Sequence, residues 1–183
     1  ILSDELVILA GSSHLDTRPF TPFSTEVCQM LADLSDKLRS TAEVKRYPDV
    51  FTFSFWCRRG NIQAMKAQFE YGPTRIGRGL SFHIAPSNAP VTFAYSLAFG
   101  LLAGNPTVVR IPARKFPEIE VICDALNSCF SRTNDKEHCS IFALVRYEHD
   151  SNVNQELSTI ANSRVIWGGD STVAEFKKVH TSP

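Results

Sequence analysis

Apolar and polar positions follow two different periods along this chain, and the change of period divides it. From Ser24 the apolar residues Val27, Leu31, Leu34 and Leu38 recur at helical spacing, with Ser24 as a cap and Lys37 and Arg39 near the far end. That pattern predicts an amphipathic helix packed on a sheet or on a neighbouring segment. Tyr47-Pro48 breaks it. Val50, Phe51, Phe55, Trp56, Ile62, Met65 and Phe69 then predict a second helical region, interrupted at Gly60-Asn61. Its aromatic residues read as core rather than as a base-stacking surface, because only Arg58 and Arg59 are interleaved with them. Ahead of both, an apolar run over 6–10 followed by Gly11, Ser12, Ser13 and Pro19 reads as one strand or an extended arm.

From Gly79 the period changes. Residues 80–85 form a short apolar run, 107–111 a β-branched one broken only by Arg110, and between them 89–103 is almost wholly apolar and ends in Gly104-Asn105-Pro106. This is a right-handed strand–helix–strand unit: buried strands read as continuous apolar runs, and Gly supplies a left-handed cap where Pro forbids continuation. Next come a helix with Pro117 in its first turn and Ile119, Ile122, Cys123, Leu126 and Cys129 on one side, a polar loop over 131–137, and a strand over 140–146. A helix over 151–162, a strand over 164–167 and a helix over 171–179 complete the series. Strand and helix alternate four times, so the expected fold is α/β, a Rossmann-like, doubly wound, mostly parallel sheet with preceding N-terminal helices. Residues 1–78 form the N-terminal helical and extended segment packing on the sheet, and 79–183 the α/β domain.

Composition narrows the partners. With 19 basic and 19 acidic residues there is no basic field for nucleic acid. No run reaches the roughly 20 apolar residues of a membrane span. Five cysteines, odd in number and without C-x-x-C spacing, read as reduced thiols of a cytoplasmic protein, with neither a disulfide framework nor a metal site. The opening at Ile1, without an initiator Met, suggests a processed or excised chain. The pattern permits a homo-oligomer without requiring one.

Candidate chemistry concentrates in the turn Pro86-Ser87-Asn88-Ala89-Pro90, which follows a strand and opens a helix, where open α/β sheets bind ligands. The competing reading makes Asn88 an N-cap with Pro90 in the first helical turn. Gly77-Arg78-Gly79 precedes its strand instead of following it, so it is a connector and not a phosphate loop. Ser13, His14 and Asp16 invite a triad reading, yet triads are assembled in space and closeness in sequence is no argument for one.

P-x-N-x-P after a strand, an apolar helix ending in A-G-N, V-V followed by a basic residue, and the Gly-Gly turn of VIWGGDSTV together resemble the cofactor domain of the aldehyde dehydrogenase superfamily. Within it, the wording HIAPSNAPV with SLAFGLLAGNPTVVRIP is most similar to the luminescence-type long-chain acyl-CoA reductases. The resemblance covers roughly residues 48–183. It implies an NAD(P)H-dependent oxidoreductase that reduces an acyl-CoA or acyl thioester to an aldehyde through a cysteine thioester, with that cysteine and the general-base Glu beyond Pro183. In that frame Asn88 is the catalytic amide donor to the oxyanion, and Pro86, Ser87, Arg110, Arg114, Lys115, Gly168, Gly169 and Ser171 bind the cofactor. Ala113 stands where the superfamily has a ribose-binding Glu, and Arg110 replaces a lysine, which favours NADPH over NADH. Asp170 reads as an N-cap whose charge opposes a neighbouring phosphate. Cys139 follows His138, but adjacent strand side chains point to opposite faces. None of the five cysteines matches the nucleophile, so the chain by itself should be inactive. Two rivals remain: a complete, non-catalytic nucleotide-binding or interaction module, and a fragment of an acyl-phosphate reductase.

Overall fold

The computed structural model describes residues 6–69, 74–130, 140–148 and 152–178. The unplaced apolar run becomes β1, Val7–Gly11. It is followed by helix α1, Thr25–Ser40, where Ser24 Oγ accepts from the Val27 N–H at 3.3 Å and Val27, Leu31, Leu34 and Leu38 are buried. A 3₁₀ turn, Ala42–Arg46, then leads into α2, Pro48–Trp56, with Pro48 at the start, where its missing N–H costs nothing.

The second helical region breaks earlier than its sequence suggests. Cys57 and Arg58 separate α2 from α3, Arg59–Phe69, and both Gly60 and Asn61 lie inside α3. The Asn61 side chain donates to the Trp56 carbonyl at 2.8 Å, so the residue expected to interrupt the region ties its two helices together. Buried Ser35 likewise donates to the Ser54 carbonyl at 2.7 Å, which joins α1 to α2.

The α/β part comprises β2 (Ser81–Ile84), α4 (Thr92–Leu102), β3 (Thr107–Arg110), α5 (Pro117–Phe130), β4 (Phe142–Arg146), α6 (Val153–Ile160), β5 (Ser163–Ile166) and α7 (Asp170–Lys177). The expected Gly104 cap is present. Gly104 has φ +83°, its N–H reaches the Leu101 carbonyl at 2.9 Å, and the Asn105 N–H reaches Gly100 at 3.1 Å, the paired bonds of a Schellman motif. Gly100 allows close packing: a Cβ there would come within 2.3 Å of Thr107 Oγ1, so α4 rests directly on β3.

The five strands lie in the order β1-β4-β3-β2-β5. β1 runs antiparallel to β4, and the other pairs are parallel. The sheet is therefore mixed and mostly parallel, as expected of a Rossmann-like arrangement. One apolar layer packs Val109, Phe142 and Leu144 against Phe93, Leu97, Ile122 and α1. The opposite layer packs Phe82, Val108 and Val145 against Val153, Leu157 and Phe176. Alternation along each strand supplies both faces. Full burial of side chains such as Phe82, Phe93 and Phe142 contributes about 1.5–3 kcal/mol each.

Several expectations shift at their edges, among them the strand expected over 140–146, which is Phe142–Arg146, and the helix expected over 151–162, which is Val153–Ile160. The helix expected over 89–103 starts at Thr92, because the residue before Pro90 is pushed out of helical backbone. The last strand is Ser163–Ile166, one residue earlier than expected. Asp170 is the first residue of α7 and not a cap ahead of it. The loop over 131–137, His138, Cys139 and Val179 lie outside the described residues.

Candidate functional site

Strand order locates the site. After β2 the chain moves to β3 and then β4 on one side, and later returns to add β5 on the other side of β2. The connections leaving β2 and β5 thus diverge to opposite faces at their carboxyl ends, and such a switch point opens a crevice that suits a ligand. Ile84 pairs with Ile166 on one side and with Arg110 on the other. The Trp167 N–H donates to the Ile84 carbonyl at 3.0 Å, and the Ala85 N–H donates to the Arg110 carbonyl at 3.1 Å. Three chain exits are therefore held side by side: the turn of Pro86, Ser87 and Asn88, the turn of Gly168 and Gly169, and Arg110.

Asn88 is not the helix cap. Val91 holds that position without a side-chain bond, and Asn88 lies exposed with no hydrogen bond to its carboxamide among the described residues. An amide donor is thus available at the carboxyl end of the central strand. Ser87 is exposed beside it and Pro86 is half-buried. Gly168 and Gly169 are exposed at the start of α7, and a Cβ built on Gly169 meets nothing within 4 Å. That bare backbone can be approached closely by a ligand, and Ser171 is the second residue of the helix behind it.

Arg110 is partly buried, with its guanidinium carbon 4.9 Å from the centroid of the buried Tyr147 ring. Stacking occupies its face, and no hydrogen bond or ion pair engages its edge among the described residues. Burial raises the Tyr147 phenol, so Tyr147 remains a neutral platform, and its hydroxyl donates to Asn154. Arg114 and Lys115 are exposed on the loop after β3, and Arg114 folds over Phe116 at 4.9 Å.

Beneath the crevice runs a polar seam with no signature in the sequence. Ser163 Oγ donates to Ser81 Oγ at 2.9 Å, Ser81 Oγ and His83 Nε2 are 2.7 Å apart, His83 Nδ1 and Ser96 Oγ are 2.7 Å apart, and the Trp167 indole donates to Ser96 Oγ at 2.9 Å. Burial lowers the His83 pKa to about 4, opposed by the Ser96 backbone, so the imidazole is neutral. The only available signal was alternation: Ser81 and His83 share the strand face that meets Ser96.

The remaining candidates disperse. Ser13 Oγ and His14 Nδ1 are 3.0 Å apart, but the Asp16 carboxylate is taken by Arg18, which holds its pKa down to about 2, so no triad forms. Cys28, Cys57, Cys123 and Cys129 are unbridged, and burial raises the first three, Cys123 to about 12, the reverse of what a nucleophilic thiolate requires. No metal-ligating cluster occurs among the described residues. No described helix is long and apolar enough to cross a membrane. A cleft of about 570 Å³ lined by Asp16, Phe20, Val27 and Ile141 lies toward the amino ends of the strands, away from the switch point.

A family model described as acyl-CoA reductase (LuxC) matches residues 59–182. Among solved structures, a salicylaldehyde dehydrogenase from Pseudomonas putida G7, complexed with salicylaldehyde, matches 86% of this chain with a TM-score of 0.55 and 15% identity. At that identity the likeness speaks to the fold alone, and this chain spans 38% of that protein's length. No curated protein matches.

Proposed function

Because the chain belongs to the acyl-CoA reductase (LuxC) family, we propose that it forms the nucleotide-binding part of an enzyme that reduces an acyl thioester to an aldehyde. The observation that carries this reading is the switch point, where the unengaged Asn88 amide and the bare Gly168-Gly169 turn leave adjacent strands. The residues present fit a dinucleotide. Backbone amides of Gly168, Gly169 and Ser171 at the start of α7 face a pyrophosphate, with Pro86 and Ser87 on the opposite lip. A nicotinamide cofactor bound there supplies the hydride.

NADPH is the cofactor this chain favours. Arg110 presents an unpaired guanidinium edge at the end of β3, Arg114 and Lys115 add positive charge, and Ala113 brings no carboxylate to repel a 2′-phosphate. The Asn88 amide donates to the oxygen of the reacting acyl carbon, where negative charge develops once a thiolate adds. That thiolate is not among the described cysteines, whose burial or position sets them apart from the crevice. The overall reaction consumes acyl thioester, NADPH and a proton and yields aldehyde, free thiol and NADP⁺. The chain by itself supplies binding and oxyanion stabilisation only.

The test is a parallel titration with NADPH and NADH, repeated with Arg110→Ala. The expected result is tighter binding of NADPH, weakened by the substitution about tenfold or more, as loss of a charge-assisted phosphate contact implies. Equal affinities unaffected by Arg110→Ala would overturn the NADPH assignment. Binding of neither would remove the cofactor reading itself.

A further inference from the structure

We infer that Trp167 is a positioning residue, held by Ser96 and His83, that sets the Gly168-Gly169 turn against the turn carrying Asn88. The inference rests on the nucleotide-site reading above, but its first half concerns the protein without ligand. Trp167 is the last residue before the two glycines, and both of its nitrogens are committed. The backbone N–H donates to Ile84, and the indole N–H donates to Ser96 Oγ on α4. One residue thus clamps the exit of β5 both to the exit of β2 and to the helix that follows the Asn88 turn.

The clamp is anchored in the core. Ser96 is 1% exposed and His83 3%, whereas the Trp167 side chain reaches in from a residue that is 40% exposed. An indole can only donate, so Ser96 accepts from it and its own proton is free for His83 Nδ1. His83 Nε2 lies 2.7 Å from Ser81 Oγ, which accepts from Ser163, so the seam runs unbroken from Trp167 to Ser163. Trp167 closes this series through its indole N–H. Two consecutive glycines have no side chains of their own to fix a turn, and Gly169 touches nothing that would hold a Cβ. The Gly169 carbonyl accepts from the Val173 N–H at 3.1 Å, which ties it to α7, and the placement of Gly168 is inherited from the residue before it.

Trp167→Phe keeps the ring and removes the donor, and Ser96→Ala removes the acceptor. In both variants, relaxation of the Gly168 and Gly169 amides by nitrogen NMR should show lower order than in the wild type. The Trp167 indole signal should shift in Ser96→Ala while that of Trp56, the other tryptophan, stays in place. Each variant should weaken NADPH binding about five-fold, the loss of one ordinary hydrogen bond. The double variant should be no weaker than either single one, since both break the same bond. Ser96→Thr, which keeps the hydroxyl, should restore order and affinity. Unchanged glycine order in both variants would overturn the positioning role. Lower order with undiminished NADPH affinity would overturn its link to the site. If the wild type binds no nucleotide, the cofactor reading fails and the relaxation data still decide whether Trp167 positions the turn.

Discussion

Acidification should destabilise this protein through His83, and the size of the effect follows from its surroundings. The imidazole is buried between β2 and α4, touches only the hydroxyls of Ser81 and Ser96 with its nitrogens, and has its pKa lowered by burial from 6.5 to about 4. A depressed histidine stays neutral in the fold while the unfolded chain takes up a proton near pH 6.5. Its contribution is therefore fully present above that value and is lost as pH falls toward about 4, where the folded form protonates as well. Between about pH 7 and about pH 4.5 the loss amounts to about 2–3 kcal/mol. Carboxylates titrate in the same range, so the decisive quantity is a difference. Urea unfolding of the wild type and of His83→Gln at both pH values cancels what the two proteins share, including Asp16, held low by Arg18 in each. The variant will be less stable at neutral pH, but it should lose about 2–3 kcal/mol less on acidification. Equal losses in the two proteins would refute the argument, and with it the neutral buried imidazole.

Other consequences are quick to check. Gly100→Ala should lower stability by about 1–3 kcal/mol in chemical unfolding, because the new methyl meets Thr107 Oγ1 at 2.3 Å and overpacking outweighs the better helix propensity of alanine. Gly104→Ala should cost at least about 1–2 kcal/mol, since φ is +83° and a Cβ would lie 2.2 Å from the Phe20 carbonyl oxygen, which must move. Asn88→Ala should leave the unfolding free energy unchanged within about 0.5 kcal/mol, because its side chain is exposed and unbonded; if the proposed oxyanion role holds, the same change in an assembled enzyme should lower kcat by about 100-fold or more.

Much of the fold was legible because local chemistry and tertiary need agree. Ser24, Pro48, Pro117 and Gly104 mark element ends by their own backbone preferences, and the helix after Asn88 is apolar because both β3 and α1 lean on it. Legibility failed where a distant partner decides. Gly60 looked like a breaker, yet it stands in open space and is tolerated inside α3. The run over 6–10 could be placed only by its antiparallel pairing with β4, more than 130 residues away. For the candidate site, the turn at Asn88 and the glycines after β5 could be placed from residue type at the ends of β2 and β5, where the structure has them. The seam from Ser163 through His83 to Trp167 could not, because its members are joined by strand register and helix packing and by no spacing along the chain.

The central claim is that a nicotinamide nucleotide sits at the carboxyl ends of β2 and β5. Amide chemical-shift mapping during titration with NADPH tests it most directly. The account predicts that the largest shifts cluster at Ser87, Asn88, Arg110, Gly168 and Gly169. Shifts clustering at Asp16, Phe20 and Ile141, at the amino-end cleft, would contradict it.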